Sequence, residues 1–221
     1  MNTRNTKPSD RVMENGFTLI ELLVVIAIIA IIAAMLTGLG ALAARKKHDA
    51  VVTAMKNKLM LCIASYQSKM GFFPPDNTNN VNYLPGTANY ENSTGLNPLL
   101  YELTGAPLVT NNSFLAFDGT LIINTVFSTA YGRGGIANSL PDETRSFYQP
   151  LPGPKDYMTT NGLKQLVVPV PLTFAPNELN WWHYDSSSTN RHNSSGFDLW
   201  AEYFAGKDSA GNPILITNGN W

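Results

Sequence analysis

The sequence predicts an α+β protein in which one long N-terminal helix is followed by a small antiparallel β domain with long loops. Three observations predict this. Residues 22–44 form a run of 23 residues without a charge. Beyond it, Val51, Val52, Met55, Leu59, Cys62, Ile63, Tyr66 and Met70 recur at spacings of three and four, the period of a helix with one apolar face. After Gly71 that period ends, and short apolar runs alternate with Asn, Gly, Pro and Ser, the pattern of short strands between turns.

The uncharged run is rich in Ala, Ile, Leu and Val and holds no proline. As a helix it covers about 35 Å, enough for a hydrocarbon core of about 30 Å. A helix is also the open segment that satisfies its own backbone in lipid. The run is too long for the apolar core of a cleavable secretory signal, and its small residue, Gly16, precedes the run rather than following it. Flanking charge leaves orientation open. Arg4, Lys7 and Arg11 come before the run, and Arg45, Lys46 and Lys47 come after it.

The second helical segment continues to about Met70, with Arg45, Lys46, Lys47, Lys56, Lys58 and Lys69 largely off its apolar stripe. Gly71 is the expected stop, and Pro74-Pro75 forbids continuation. Residues 76–95 read as an Asn-rich loop and 96–104 as a short helix. Residues 113–127 read as a hairpin about Asp118-Gly119, a pair suited to a type I′ turn. Residues 128–162 read as irregular. Residues 166–174 have strand-like composition, but Pro169 and Pro171 demote them to an edge or extended segment.

The chain has 221 residues and a net charge of −1, a balance that excludes bulk nucleic-acid binding. Cys62 is its one cysteine, so no intrachain disulfide and no thiolate metal cluster can form. Its place in the helical stripe makes it a buried small hydrophobe. A loop-rich domain without disulfides then needs another staple, such as a bound cation or neighbouring subunits. His48, His183 and His192 are scattered and give no triad or metal-ligand spacing, so no enzymatic activity is expected.

Glu21 stands within the mostly apolar stretch 16–36, five positions after Gly16. A carboxylate in a membrane span costs roughly 2.5–3.5 kcal/mol on insertion scales, which marks it as functional. Gly16, Phe17, Thr18, Leu19, Ile20 and Glu21 resemble the cleavage and methylation motif of the type IV pilin and type II secretion pseudopilin superfamily. Glu14 and Asn15 stand where many members carry Lys or Arg. The resemblance implies that a prepilin peptidase cuts between Gly16 and Phe17 and that Phe17 is then N-methylated. It divides the chain into a cytoplasmic leader (1–16), a transmembrane helix segment (17–44), an amphipathic continuation (45–70) and a periplasmic β domain (71–221). The new Phe17 amine and Glu21 can then pair, within one helix or between neighbouring subunits, where an unpaired buried charge would be costly.

The resemblance extends towards the major pseudopilin of type II secretion through Tyr66, Gly71, Phe73 and Pro74. It continues in the segment 95–100, in Trp181-Trp182-His183-Tyr184, in Phe197-Asp198-Leu199-Trp200, and in the Gly206–Asn212 loop and terminal Trp221. Residues 105–175 match no such pattern. It implies a structural subunit of a short periplasmic filament. Its partners are further copies and other pseudopilins, the prepilin peptidase, an inner-membrane assembly platform and the lipid bilayer. It also implies a calcium ion in the C-terminal loop, for which Asp208, Ser209, Asn212, Thr217 and Asn218 supply the oxygens; the bland alternative is an Asn/Gly turn closed by hydrogen bonds. Two rivals remain. One is a type IV pilin, major or minor, serving adhesion, motility or DNA uptake. The other is a membrane-anchored carbohydrate-binding module with Trp181, Trp182 and Trp200 as its platform.

Overall fold

A computed structural model describes residues 17–77, 97–160, 162–170 and 180–221, without the side chains of 36–42 and 160. The chain divides into two compact units, Met1–Ala44 and Arg45–Trp221. The α+β class is the one the sequence predicts: helix α1 (Leu19–Met70) comes first, and small antiparallel sheets follow.

In the first unit, every side chain described between residues 17 and 35 is exposed. Leu19, Ile20, Leu22, Ile26, Ile29, Ile31 and Met35 are each more than half exposed. The helix is apolar all round, as in a helix buried on every side. Among the described residues no helix is long and apolar enough to cross a membrane. Side chains 36–42, which lie within the uncharged run, fall outside that description.

In the second unit α1 obeys a different rule. Val52, Leu59, Cys62, Ile63 and Tyr66 are buried, while Ala50, Ala54, Asn57, Leu61 and Ala64 are exposed. The helix stops at Met70, where the Gly71 N–H donates to the Gln67 carbonyl at 2.8 Å. Gly71 has φ +83, a left-handed turn that disfavours any side chain. Two lysines placed off the stripe have partners: Lys56 Nζ donates to the Asn218 side chain and the Gly219 carbonyl, and Lys58 Nζ lies 3.7 Å from the Tyr148 ring centre. The Lys56 head thus meets polar partners of the last strand, and the Lys58 head meets an aromatic face.

Helix α2 (Leu99–Thr104) is buried along its whole length. It separates two apolar cores. Leu99, Leu100 and Leu103 join the α1 stripe, Trp182, Leu199, Ala201 and Tyr203 in one. Tyr101 joins Phe114, Ile122, Phe127 and Tyr131 in the other. The second core lies under strands β1 (Leu108–Thr110), β2 (Ser113–Leu115) and β3 (Leu121–Ile123). The expected hairpin is there, with Phe114 opposite Ile122. Its loop is longer than a two-residue turn: Gly119 donates to the Ala116 carbonyl, and Ala116 to the Thr120 carbonyl. Residues after β3 depart from expectation, because Asn124–Tyr131 forms helix α3. Phe127 and Tyr131, four apart, both turn into the core, a helical rather than a strand period.

Strands β4 (Tyr157–Thr160) and β5 (Leu163–Leu166) pair antiparallel, within and beyond a stretch read as irregular. The last sheet has the order β6-β7-β8, from β6 (His183–Asp185), β7 (Asp198–Lys207) and β8 (Pro213–Gly219). Seven consecutive residues of the central strand β7 are buried, as expected for a strand covered on both faces. The readings for residues 78–96 and 171–179 lie outside the described residues.

One buried carboxylate joins these layers. Glu102 accepts from Tyr66 Oη at 2.9 Å, from the Ala137 N–H at 2.8 Å and from the Asn138 N–H at 3.0 Å. It thereby ties α1, α2 and the loop after α3 together. Replacing Glu102 by Gln points a donor amide at one of these donors. We expect a loss of roughly 1–3 kcal/mol, and a smaller loss for Tyr66→Phe. Denaturant unfolding of the full chain in detergent micelles measures both.

Candidate processing and assembly site

The head of α1 is built by its own side chains. The Thr18 N–H donates to Glu21 Oε2 at 2.8 Å, and the Thr18 hydroxyl donates to the same oxygen at 2.7 Å. In return the Glu21 N–H donates to Thr18 Oγ1 at 3.3 Å, and the Leu22 N–H donates to the Thr18 carbonyl at 3.2 Å. This is a capping box, Thr-x-x-Glu, in which N-cap and third helical residue satisfy each other's amides. The sequence reading missed it, although Thr18-Leu19-Ile20-Glu21 before an apolar run is its signature.

Both Thr18 donors converge on Glu21 Oε2. The second carboxylate oxygen has no partner among the described residues. Phe17 is 80% exposed just before the cap. Cutting its N-terminal bond leaves the Thr18 amide intact, so the cap survives, and the new amine lies one residue from it. Gly16 and the leader lie outside the described residues.

The five oxygens expected to hold calcium do not converge. Asp208, Ser209 and Asn212 form the turn between β7 and β8, whereas Thr217 and Asn218 lie far along β8, opposite Glu202 and Ala201. At about 3.3 Å per residue, Asn218 is well over 10 Å from the turn. Asp208 already accepts from the Ala210 N–H at 2.9 Å, the Asn212 N–H at 2.8 Å and Asn212 Nδ2 at 3.0 Å. These amide donors hold the Asp208 carboxyl below its ordinary value. Asn212 thus presents its nitrogen, not its oxygen, and Asn218 Nδ2 donates to Asp49 and Thr53 of α1. The donor set does not fit a calcium ion, which needs six to eight oxygens. Among the described residues no three His, Cys, Asp or Glu side chains are placed to hold a metal.

The aromatic platform fails for a similar reason. Trp182 and Trp200 are buried and Trp181 is half-buried. Trp200 stacks on His183 at 5.0 Å and meets Trp221 edge-on at 5.8 Å. These rings pack the last sheet rather than offering faces to a sugar. Burial pushes His183 down to about 4, so it is neutral at physiological pH. His192 Nδ1 lies 3.1 Å from Asp198 Oδ2, and the same carboxylate accepts the His192 and Asn193 N–H groups. That Asp organises a turn.

Against this geometry the comparison with known families is specific. The family described as the prokaryotic N-terminal methylation motif matches residues 11–37. No curated protein and no solved structure matches the chain. The matched residues contain the Gly16–Phe17 bond, the Thr18–Glu21 cap and the start of the apolar helix. The chain therefore carries an N-terminal methylation motif, the mark of a type IV pilin-like substrate of prepilin peptidase.

The cap gives a direct test. Thr18→Val removes the hydroxyl but keeps shape and N–H. The amides of the first helical turn should exchange several-fold faster by NMR in micelles, with residues beyond 30 unchanged. Millimolar calcium should leave the melting temperature of the full chain where EGTA leaves it.

Proposed function

We propose that the chain is a pseudopilin: a subunit processed at Gly16–Phe17, held in the inner membrane by its apolar helix, and polymerised into a periplasmic filament that serves type II protein secretion. The observation that carries this reading is a carboxylate, Glu21, with one oxygen that no described residue engages, four residues from the prospective Phe17 amine, at the head of a helix apolar on every side described.

Such a helix needs apolar cover. Lipid provides it before assembly, and like helices provide it afterwards. Glu21 is tolerable in that setting once a cation meets it. The uncommitted oxygen fits the methylated amine of a neighbouring copy, while the oxygen bound by Thr18 keeps the side chain in place. Lone charges favour one register over slipped ones, so pairing sets the stagger of the filament.

A type IV pilin is the second reading, because the same N-terminal logic serves both. The secretion role rests on the C-terminal resemblance: the strand pattern Phe197–Trp200, the turn at Gly206–Asn212 and the terminal Trp221.

Intact mass and N-terminal sequencing test the processing step. Cells with active prepilin peptidase should yield a chain beginning at methylated Phe17, and cells without it a chain beginning at Met1. A Met1 start in both would sink the proposal. Glu21→Ala should leave cleavage intact and abolish filaments seen by electron microscopy.

A further inference from the structure

Asp76 follows the exit from α1 at Pro74-Pro75 and is 3% exposed. Its Oδ2 accepts from the Ser186 N–H at 2.8 Å, the Ser187 N–H at 2.9 Å and the Ser187 hydroxyl at 2.9 Å. Asp185, half-buried at the end of β6, accepts at Oδ1 from the Ser187 N–H at 3.1 Å and the Ser188 N–H at 2.8 Å. One amide, that of Ser187, therefore serves two carboxylates and brings their oxygens side by side. Two carboxylates at that range resist being ionised together.

The other Asp76 oxygen, Oδ1, is buried and receives no hydrogen bond. The Arg133 guanidinium approaches it to 3.6 Å, outside hydrogen-bond reach, and donates instead to the Asp76 carbonyl at 3.1 Å. Arg133 thus gives that oxygen charge without a hydrogen bond, and the contact between the Asp76 and Asp185 carboxyls sets acceptor against acceptor. A metal ion is a poor candidate, because the backbone amides and hydroxyl around these oxygens present hydrogens and form a nest for anions. A proton meets the need.

We propose that Asp76 and Asp185 share one proton, making an acid–acid clasp that fastens the segment leaving α1 to the turn after β6 and loosens as the pH rises. The same junction is held by Tyr184 Oη and Ser186 Oγ, which donate to the Pro74 carbonyl at 2.8 and 2.9 Å. The clasp therefore governs how α1 is joined to the last sheet within this unit.

The surrounding charges are few. Arg133 comes from the turn just after α3, and Tyr184 from β6. Glu102 of α2 acts through its field on Tyr184, and α1 contributes Tyr66, whose hydroxyl is committed to Glu102. Burial raises the Asp185 carboxyl above its ordinary value; the Ser188 amide opposes this, and the Asp76 carboxylate adds to it. The folded chain then holds a proton that the unfolded chain releases sooner. Stability from the clasp is full below the ordinary carboxylate value and is lost as the pH rises through the raised value of Asp185.

Asp185→Asn tests this, because its amide can donate to Asp76 at every pH. With the full chain in detergent micelles, wild type and variant should melt together in acid. At neutral pH the variant should melt higher by about 2–4 °C. A difference that is constant with pH, or a variant less stable at neutral pH, would overturn the clasp. Carbon-13 NMR of wild type gives a second reading independent of folding. The Asp185 carboxyl carbon and the Ser187 amide should titrate with one shared midpoint above the ordinary Asp value. A Ser187 amide that stays still through that titration would also overturn it.

Discussion

An apolar helix without a polar face constrains everything else about this chain. Its backbone hydrogen bonds close within the helix, so lipid is an acceptable surrounding. Its side chains, exposed from Phe17 to Met35, gain roughly 25 cal/mol for each square ångström removed from water. They gain it equally in lipid or against like helices, so apolar surface alone cannot choose a register. The choice falls to the charged element at the head of the run, the Thr18–Glu21 pair. Thr18 fixes the Glu21 side chain through two hydrogen bonds to one oxygen and leaves the other to decide. In the proposed filament, position along the bundle is set by this charge, while cohesion comes from surface that is indifferent to position.

The second half of α1 has the opposite character, and the change follows from composition. Where the Ala, Ile and Leu run ends at Arg45, apolar residues retreat to a stripe and the β domain covers it. Polar contacts then lock the stripe in register with the last sheet. Asp49 accepts from Tyr203 Oη at 2.6 Å and from Asn218 Nδ2 at 3.1 Å, and Lys56 grips the Asn218–Gly219 end of β8. The terminal strand is thus bonded to the helix that begins the unit.

Legibility in the sequence followed periodicity. The α1 stripe, its stop at Gly71 and the burial of Cys62 were readable because a 3.6-residue period over two dozen residues has few rivals. The β2–β3 hairpin was readable from Asp118-Gly119. Helix α3 was not: Asn124–Tyr131 is Thr- and Ser-rich, with weak helix propensity, and it is held by Phe127 and Tyr131 packing into a core that only the tertiary fold creates. Strands β4 and β5 hid in a Gly- and Pro-rich stretch. At the N-terminus the motif is legible residue by residue, and the cap inside it is written in the same Thr18-x-x-Glu21 spacing. The five oxygens named for calcium do not meet, because residues close in sequence separate quickly along an extended strand.

A loop-rich domain with one cysteine still has to close its loops, and a cation or a neighbouring subunit looked necessary for that. The described residues supply a third means. Buried amides and carboxylates reach from one loop to the backbone of another. Asn97 Nδ2 donates to the Trp182 carbonyl, Asn138 Nδ2 to the Glu102 and Arg145 carbonyls, and Asn180 Nδ2 to the Val170 and Glu202 carbonyls. Glu102, Asp76 and Asp198 do the converse, each collecting two or more N–H donors. Each satisfied bond adds only about 1 kcal/mol, but each one broken leaves a buried polar group costing more than that. Such a network penalises partial opening, much as a crosslink would. It also explains the abundance of Asn in a domain with few charges. Asn offers donor and acceptor together and can join irregular backbone segments without introducing a charge that must itself be paired.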